Sequence, residues 1–470
     1  MNMKSTLGVI LSSRDFFPAH LVTQARSEVL SVLAEVGINA ILLSEDLAIH
    51  GAVQTYQHSR MCADLFKAHR DEIDGILVVL PNFGDEKAVA DTIKFSGLDV
   101  PILVQAYPDD LTSFDVANRR DSFCGKISVC SNLRQYGYSF SVTDLHTVSP
   151  KSDDFKQDLI KFMGVCRVVR GLRSARLGAV GARPNAFNTV RYSEKLLQET
   201  GITVLTADLT EMLGPAAKLK DDDVDVKKQL DLIMDYLPTK GVPTESIMRM
   251  AKFSSVLKKW MADLDIQATA LQCWNSLQTN YGVNVCTLMS MMSETLMPSA
   301  CEVDITGVVS MYSLQLATGT PSALVDWNNN YGNDPDKCVL FHCGNWAKSF
   351  TPDARMEYAN ILATTLGKEN TYGAINGRTP SGPMSFARVS TDDQLGMIRA
   401  YVGEGEFTDD ELDTFGSRAV IKVPELQDLL KYIVKNGFEH HVAMSGAASS
   451  QILSEALGTY MGWEVYHHNA

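Results

Sequence analysis

The chain has 470 residues, of which 45% are hydrophobic, so it is long enough for about three domains that each bury a core. Its 42 basic and 56 acidic residues leave a formal charge of −14, which argues against nucleic acid or an anionic membrane surface as a partner. No apolar run approaches the roughly 18 residues that a membrane span needs. The first residues lack the features of a signal peptide, and the nine cysteines form no CxxC pair, so we expect a cytoplasmic protein with reduced thiols.

Short apolar runs alternate with helical patterns through the first 170 residues. The predicted strands are Val9–Leu11, Ala40–Leu43, Ile76–Leu80, Ile102–Gln105 and Lys126–Val129. Helical periodicity lies between them, for example in Ala25–Leu33 and Met61–Asp71. Apolar strands that alternate with amphipathic helices are typical of a parallel sheet covered on both faces. Residues 1–170 are therefore predicted to form a Rossmann-like α/β domain.

A second α/β domain is predicted for residues 171–350. Its first elements are the strand Leu177–Val180, a helix at Thr189–Thr200, the strand Thr203–Thr206 and two long helices at Asp221–Tyr236 and Thr244–Leu264. The acidic run at the start of the first long helix is best explained as a solvated helix N-terminus. After Gly367, glycine and proline punctuate short β-type segments, so residues 351–470 are predicted to form a mainly β domain. The predicted class is two Rossmann-like α/β domains followed by a mainly β domain.

Three segments place ligand-type side chains beside apolar elements. Glu302 begins a helical pattern, Asp326 and His342 each end an apolar run, and His441 begins another. Residues at the ends of strands are delivered to a crevice at the edge of a sheet. Two carboxylates with one or two imidazoles suit Mn²⁺, Fe²⁺, Co²⁺ or Zn²⁺, and the carboxylate share favours Mn²⁺. The pattern therefore makes a divalent metal site one candidate interpretation of these residues.

Each of these residues also has a purely structural interpretation. Glu302 could be a first-turn carboxylate on a helix dipole, and Asp326 could cap a turn. His342 could be a buried histidine of the core, and His440 with His441 could be a surface pair. Residue types and spacing alone leave these alternatives open, because no short metal signature such as HExxH is present.

Around these residues the sequence resembles the L-fucose/L-arabinose isomerase superfamily. The resemblance includes the Cys-Glu-x-Asp start at residues 301–304, the acidic residue Asp326, the His-Cys pair at 342–343 and the late His441. Further matches are Gln272-Cys273-Trp274 and Gly181-Ala182-Arg183-Pro184 with Phe187. The resemblance runs in order along nearly the whole chain. It implies a metal-dependent aldose–ketose isomerase, an intramolecular oxidoreductase of carbohydrate metabolism that works by ene-diol proton transfer.

The resemblance also implies roles for individual residues. Glu302 and Asp326 would bind the metal and transfer protons, and His441 would be the third protein ligand. His342 would contact either the metal or the substrate. The predicted substrate contacts are Arg14, Gln272, Trp274, Asn345 and Trp346.

The resemblance further implies a homo-oligomer, with a hexamer favoured, in which a neighbouring subunit completes the active site. The implied substrate is a 6-deoxy or 6-substituted sugar, either fucose-like or sulfoquinovose. A sulfonate would require arginine or lysine donors, for which Arg14, Arg183, Arg191 and Arg378 are candidates. The alternative function is a non-catalytic sugar-binding protein on the isomerase fold, which would show no metal-dependent turnover.

Overall fold

The computed structural model describes residues 5–469; the outer ends of the predicted first and third domains, residues 1–4 and 470, lie outside them. The described chain divides into two compact units. The first contains residues 5–170 with Thr459–Met461, and the second contains Gly171–Gly458 with residues 462–469. No helix within residues 5–469 is long and apolar enough to cross a membrane. The division into three domains at residues 170 and 350 stays a prediction.

The first unit is built on a five-stranded parallel sheet in the order β2-β1-β3-β4-β5. Its elements in chain order are β1 Thr6–Leu11, α1 Ala19–Glu35, β2 Asn39–Ile41, α2 Tyr56–Ala68, β3 Gly75–Leu80, α3 Glu86–Ser96, β4 Ile102–Ala106, α4 Ser122–Gln135, β5 Ser141–Val142 and α5 Asp153–Leu172. Strand β1 is buried along its whole length, as expected for a strand with both faces covered. Its Val9 packs in one apolar cluster and its Ile10 in another, so helices cover both faces.

One predicted strand of this unit is wrong. Lys126–Val129 lies inside helix α4 rather than in the sheet. The short apolar stretch was ambiguous because Lys126 and Val129 are three residues apart and both face the interior, a spacing that suits a helix. The Lys126 ammonium is buried there and donates to the Thr143 hydroxyl over 2.7 Å.

The second unit begins with a four-stranded parallel sheet in the order β7-β6-β8-β9. Its elements are β6 Arg176–Val180, α6 Glu194–Glu199, β7 Thr203–Ala207, α7 Leu209–Lys218, α8 Val224–Tyr236, α9 Thr244–Asp263, β8 Ala268–Leu271, α10 Ser276–Tyr281, α11 Cys286–Glu294, β9 Ser299–Ala300 and α12 Ile305–Thr318. The helix predicted at Thr189–Thr200 is shorter than expected, because regular α-helix covers only Glu194–Glu199.

A mainly antiparallel nine-stranded sheet follows, in the order β12-β13-β16-β11-β10-β17-β14-β15-β18. Its strands and the helices between them are β10 Ser322–Asn330, β11 Lys337–His342, β12 Arg355–Tyr358, α13 Asn360–Leu366, β13 Tyr372–Arg378, β14 Gly382–Asp392, β15 Met397–Thr408, β16 Ser417–Lys422, α14 Leu426–Lys435, β17 His441–Ser445, α15 Ser450–Ser454 and β18 Glu464–His468. Strand β15 also pairs with β16. This pairing closes a ring of six strands, in the order β16-β11-β10-β17-β14-β15. The predicted fold class is confirmed.

Helix α12 joins the two sheets of the second unit. It contacts β8 and β9 on one side and β10, β14 and β17 on the other. The helix is apolar nearly all round and almost completely buried, as expected for a helix between two layers. The turn that precedes it, residues 301–304, is therefore held where the two sheets meet.

Candidate active site

Glu302 lies in the tight turn between strand β9 and helix α12. Glu302 and the next residue, Val303, both adopt left-handed backbone conformations, with φ of 54° and 57°. Such conformations cost free energy for residues other than glycine and persist where the surrounding fold imposes them, often at functional sites. The turn directs a carboxylate into the interior, where Glu302 is only 5% exposed.

The two oxygens of the Glu302 carboxylate have different surroundings. Oε1 accepts a hydrogen bond from the Trp274 indole nitrogen at 2.8 Å and a longer one from the Cys273 thiol at 3.4 Å. Oε2 is buried and has no hydrogen-bond partner among the described residues. It lies 3.7 Å from Nε2 of His342 and 3.7 Å from Nε2 of His441. Burial raises the pKa of Glu302, and the two histidines offset part of that rise.

Asp326 and His441 face each other on neighbouring antiparallel strands. They are paired in the register of β10 and β17, and Oδ1 of Asp326 lies 3.5 Å from Nε2 of His441. His440 lies 3.7 Å from the same oxygen and is more exposed than His441. His441 therefore stands between two carboxylates, because its Nε2 is also the neighbour of Glu302.

The crevice differs from the one expected at the ends of parallel strands. Glu302 and Gln272 do follow parallel strands, β9 and β8. Asp326 instead lies within β10, and His342 ends β11, both in the antiparallel sheet. The site thus forms where the two sheets of the second unit meet across α12.

A buried network of ion pairs contacts the imidazole ring of His441 at Nδ1. Nδ1 of His441 lies 2.8 Å from Oδ2 of Asp304. Arg388, which is fully buried on β14, donates to both oxygens of Asp304, at 2.6 and 3.1 Å, and to Glu439 at 3.0 Å. Burial by itself would raise the pKa of Asp304, but Arg388 and His441 hold it well below its usual range. Asp304 is therefore ionised and accepts the hydrogen from Nδ1, which leaves the Nε2 lone pair of a neutral His441 free.

His342 has the opposite arrangement. Its Nδ1 accepts a hydrogen bond from the backbone N–H of Cys343 at 2.9 Å, so a neutral ring carries its proton on Nε2. Burial lowers the pKa of His342, but the charges of Cys343, Asp326 and Glu302 outweigh it and raise the pKa to about 10. Nε2 thus carries a hydrogen in the neutral ring and in the imidazolium, and it has no hydrogen-bond partner among the residues described.

The remaining predicted substrate contacts are placed in different surroundings. Trp274 is half-buried beside Glu302, and its ring lies 5.7 Å from the Phe187 ring. The amide of Gln272 accepts from the backbone of Ala182 and donates to Ser276, so it orders the neighbouring loop.

Asn345 and Trp346 lie deeper than Trp274. Asn345 is buried and donates to the Cys301 thiol at 3.3 Å. Trp346 is completely buried in an apolar cluster, surroundings that favour packing. Arg14 belongs to the first unit, where it binds the Gly84 carbonyl and pairs with Glu86. The roles of these three residues stay predictions.

Sequence reasoning missed some residues that shape this site. Arg388 was overlooked in one of the predicted β-type segments, although an arginine between the apolar residues Ala387 and Val389 of a strand is a signal for a buried ion pair. Asp304 was noted only as part of the turn. Phe187 was matched to the family, but no local pattern predicts that its ring packs 5.5 Å from the ring of His440.

The residues at this centre fit a divalent cation. Glu302, His342 and His441 form one group of possible ligand atoms within 4.8 Å of one another, and Asp326, His440 and His441 form a second; His441 belongs to both groups, whereas Glu302 and Asp326 do not share one. Atoms that share a cation at about 2.1 Å lie roughly 3.0–3.5 Å apart. The separations from His441 Nε2, 3.5 Å to Asp326 and 3.7 Å to Glu302, are within a few tenths of an ångström of that range.

Comparison with known proteins gives the family. The protein-family model of the fucose/sulfoquinovose isomerase N-terminal domain matches residues 8–173. The model of the L-fucose isomerase C-terminal domain matches residues 340–468. The chain belongs to the fucose isomerase family.

Similar proteins carry names of the same kind. A sulfoquinovose isomerase of Priestia aryabhattai is 24% identical over 381 residues, which is 80% of this chain and 81% of the relative. One of Clostridium sp. (strain MSTE9) is 24% identical and covers 74% of this chain and 77% of its own length. One of Alkalicoccus urumqiensis is 23% identical, with coverages of 69% and 70%. The fucose-isomerase-like chain is thus a sugar isomerase, an enzyme that interconverts an aldose and a ketose.

Proposed function

We propose that this isomerase depends on a divalent cation, with Mn²⁺ favoured, and that it converts a 6-substituted aldose, sulfoquinovose, into its ketose. The observation that carries the metal dependence is the buried, unpartnered Oε2 of Glu302 beside the Nε2 atoms of two histidines. A buried carboxylate oxygen without a partner costs free energy. A cation at that point removes the cost.

The proposed ligands are Glu302, Asp326 and His441. His441 is suited to this role because ionised Asp304 accepts its Nδ1 hydrogen and leaves Nε2 free, the arrangement typical of metal-binding histidines. Two carboxylates and one imidazole favour Mn²⁺ among the divalent cations. A cation held there supplies a Lewis acid that polarises the carbonyl of the sugar.

We assign His342 to the substrate rather than to the metal. Its Nδ1 is occupied by the Cys343 N–H, so Nε2 offers a hydrogen and not a lone pair. A sugar hydroxyl or carbonyl oxygen near the unpartnered Nε2 would accept that hydrogen. Of the two roles that the family resemblance left open, we propose the substrate contact.

The proton transfers are assigned to Glu302 and Asp326 together. Isomerisation removes the C2 proton of the aldose and returns a proton to C1, while the oxygen-bound proton moves from O2 to O1. Trp274 holds one oxygen of Glu302 and leaves the other toward the site, which fixes the direction in which this carboxylate can act. Two carboxylates in different surroundings, one buried and one 22% exposed, can differ in proton affinity and so divide the acid and base roles.

The substrate assignment is supported by the names of the relatives and by one loop. Phe187 packs against the rings of Trp274 and His440, and Arg183 belongs to the same loop. A sulfonate needs charge-assisted donors, which arginine supplies. We therefore propose Arg183 as the first candidate donor. The homohexamer completed by a neighbouring subunit also remains a proposal.

The test is an aldose panel with and without metal. The full chain is treated with chelator, and ketose formation from sulfoquinovose, L-fucose, L-arabinose and D-arabinose is measured before and after Mn²⁺ is restored. We expect no turnover after chelation, recovery with Mn²⁺, and the highest kcat/KM for sulfoquinovose. Unchanged turnover in chelator would contradict the metal dependence. A higher kcat/KM for a sugar without a substituent at C6 would contradict the proposed substrate. Silence across the panel with Mn²⁺ bound would favour the non-catalytic sugar-binding alternative.

A further inference from the structure

Four cysteines from separate segments of the chain converge beside the candidate active site. Cys273 follows β8, Cys286 begins α11, Cys301 follows β9 and Cys343 follows β11. Nothing in their spacing along the sequence predicts this meeting, because no two of them are close enough to form a CxxC pair. The fold brings them together in the second unit.

The distances among these sulfurs match those of a shared cation. The Sγ atoms of Cys286, Cys301 and Cys343 all lie within 4.8 Å of one another, and Cys286 and Cys343 are 3.8 Å apart. Two thiolates on one tetrahedral cation with bonds of about 2.3 Å lie roughly 3.8 Å apart. The Cys286–Cys343 separation is thus already that of two ligands of one cation, and each of the other two separations is at most 4.8 Å.

The surroundings add more soft ligands. Cys273 Sγ lies within 4.8 Å of Cys301 Sγ, and the thioether of Met289 lies 3.8 Å from the same sulfur. Cysteine and methionine sulfur select soft cations such as Zn²⁺ and Cu⁺ over Mn²⁺ or Mg²⁺. Cys273, Cys286 and Cys301 are fully buried, and Cys343 is half-buried, so Cys343 gives the cluster its nearest approach to solvent.

We propose that Cys286, Cys301 and Cys343, with Cys273 as a fourth ligand, form a second metal site that binds one soft d¹⁰ cation of the Zn²⁺ or Cu⁺ class. The sulfur ligands differ in chemistry from the oxygen and nitrogen ligands of Glu302, Asp326 and His441, and Cys273 gives up its hydrogen bond to Oε1 of Glu302 when it binds the cation. It does not depend on the proposed isomerase function. Two of its ligands, Cys301 and Cys343, immediately neighbour Glu302 and His342 in the chain, so an occupied site restrains both.

The ordinary alternative is that the thiols pack as small apolar side chains, which buried cysteines commonly do. That alternative predicts no cation. Cobalt(II) distinguishes the two, because sulfur-to-cobalt charge transfer absorbs strongly in the near ultraviolet, whereas cobalt on carboxylates and imidazoles lacks that band. The probe therefore reports the cysteine site even if cobalt also binds at Glu302.

In the experiment, the reduced and chelator-stripped full chain is titrated with Co²⁺ without oxygen. We expect a near-ultraviolet band that saturates at about one cation per chain and that Zn²⁺ abolishes. Cys286→Ser and Cys343→Ser should each lower it to about three quarters or less, since each removes one of the four sulfurs. Cys338→Ser, at a buried cysteine of β11 outside the cluster, is the matched control and should keep the band.

The wild-type titration decides the proposal without any variant, so a misfolded serine variant cannot obscure the result. A wild-type chain that develops no band overturns the proposal. A band of full height in both Cys286→Ser and Cys343→Ser also overturns it. Glu302→Gln should keep the band, which separates loss of this site from loss of the isomerase site.

Discussion

One carboxylate oxygen of Glu302 accepts hydrogen bonds, and the other has no partner among the described residues. The burial of this carboxylate affects the stability of the folded protein. Its pKa is raised by burial, so in the metal-free protein the folded state binds the proton more tightly than the unfolded state does. Stability therefore falls as the pH rises above the value of an unfolded glutamate, about 4.3. We expect metal-free Glu302→Gln to have a higher melting temperature than the wild type at pH 7, by about 2 °C or more, with the difference shrinking toward pH 4.

Differential scanning calorimetry in chelator at both pH values measures this effect. Glu411→Gln, at an exposed glutamate of the same unit, is the control and should change nothing. A metal-free Glu302→Gln chain that melts below the wild type at pH 7 would show that the carboxylate is stabilised by a partner other than a cation.

Asp304 is expected to set the metal affinity without touching the metal. Asp304→Asn keeps an acceptor for the Gly307 N–H at the start of α12 but loses the charge that fixes the proton on Nδ1 of His441. We expect Mn²⁺ affinity to fall about 10–100-fold, measured by calorimetric titration. Asp208→Asn changes an exposed capping residue of α7 and should leave the affinity unchanged. Equal affinities in wild type and Asp304→Asn would remove Asp304 from this role.

The two buried histidines should separate into a metal ligand and a substrate donor. His441→Gln should lower Mn²⁺ affinity by at least about 10-fold. His342→Gln should leave that affinity within about twofold and lower kcat/KM by about 10²-fold or more, the scale expected when a hydrogen-bond donor to a reacting oxygen is lost. Metal titration and steady-state kinetics on the same preparations measure both. Loss of Mn²⁺ affinity in His342→Gln would make His342 a ligand instead.

Local sequence patterns predict some of the site residues and not others. Glu302, Asp326, His342 and His441 were recognisable because each stands at the edge of an apolar run and matches a family motif. Arg388 was not, because its partners Asp304 and Glu439 are 84 and 51 residues away in the chain. Such contacts exist only after the sheets have paired.

At the scale of elements, the Arg388 network ties β14 to the start of α12 and the residues before β17. Arg388→Met would leave the carboxylates of Asp304 and Glu439 buried without a counter-charge. We expect a loss of about 3–5 kcal/mol in the free energy of unfolding at pH 7. Because Arg388 lowers the pKa of Asp304, the stabilisation is complete above the unfolded value near 3.9 and is lost as the pH falls further. The deficit of the variant should therefore shrink below about pH 4.

Urea denaturation from pH 7 down to pH 3 measures that deficit. Arg355→Met removes an exposed arginine that pairs with Glu357 on the edge strand β12, and it should cost less than about 1 kcal/mol. A deficit that does not vary with pH would mean that Arg388 acts through packing alone.

Helices and strands differ in how well their bounds can be predicted from the sequence. Long helices such as Thr244–Asp263 follow their periodicity closely, and β17 begins at His441 as predicted. The segment Lys126–Val129 was misassigned because four residues cannot distinguish a strand from one helical turn. Strand β10 continues past Asp326 to Asn330, although its last residues are polar, because β11 supplies the backbone partners.

At the scale of the whole molecule, the order of the α/β and β regions could be predicted from the sequence, but the closure of the sheet could not. Strands β10 and β11 precede residue 350 and yet pair with strands from the last hundred residues, and the contact between β15 and β16 closes the sheet. Local patterns do not specify which distant strands pair. The site depends on that pairing, because Asp326 meets His441 only across β10 and β17.

The most direct test of the account is solvent exchange during turnover. The full chain with Mn²⁺ is incubated with sulfoquinovose in D₂O, and deuterium at C2 of recovered aldose and at C1 of the ketose is measured by NMR. We predict incorporation by the wild type, and a rate at least about 10²-fold lower for Glu302→Gln with Mn²⁺ still bound. Incorporation at the same rate in both proteins would contradict the assignment of proton transfer to this site. Ketose formed without any deuterium would contradict proton exchange with solvent through an ene-diol.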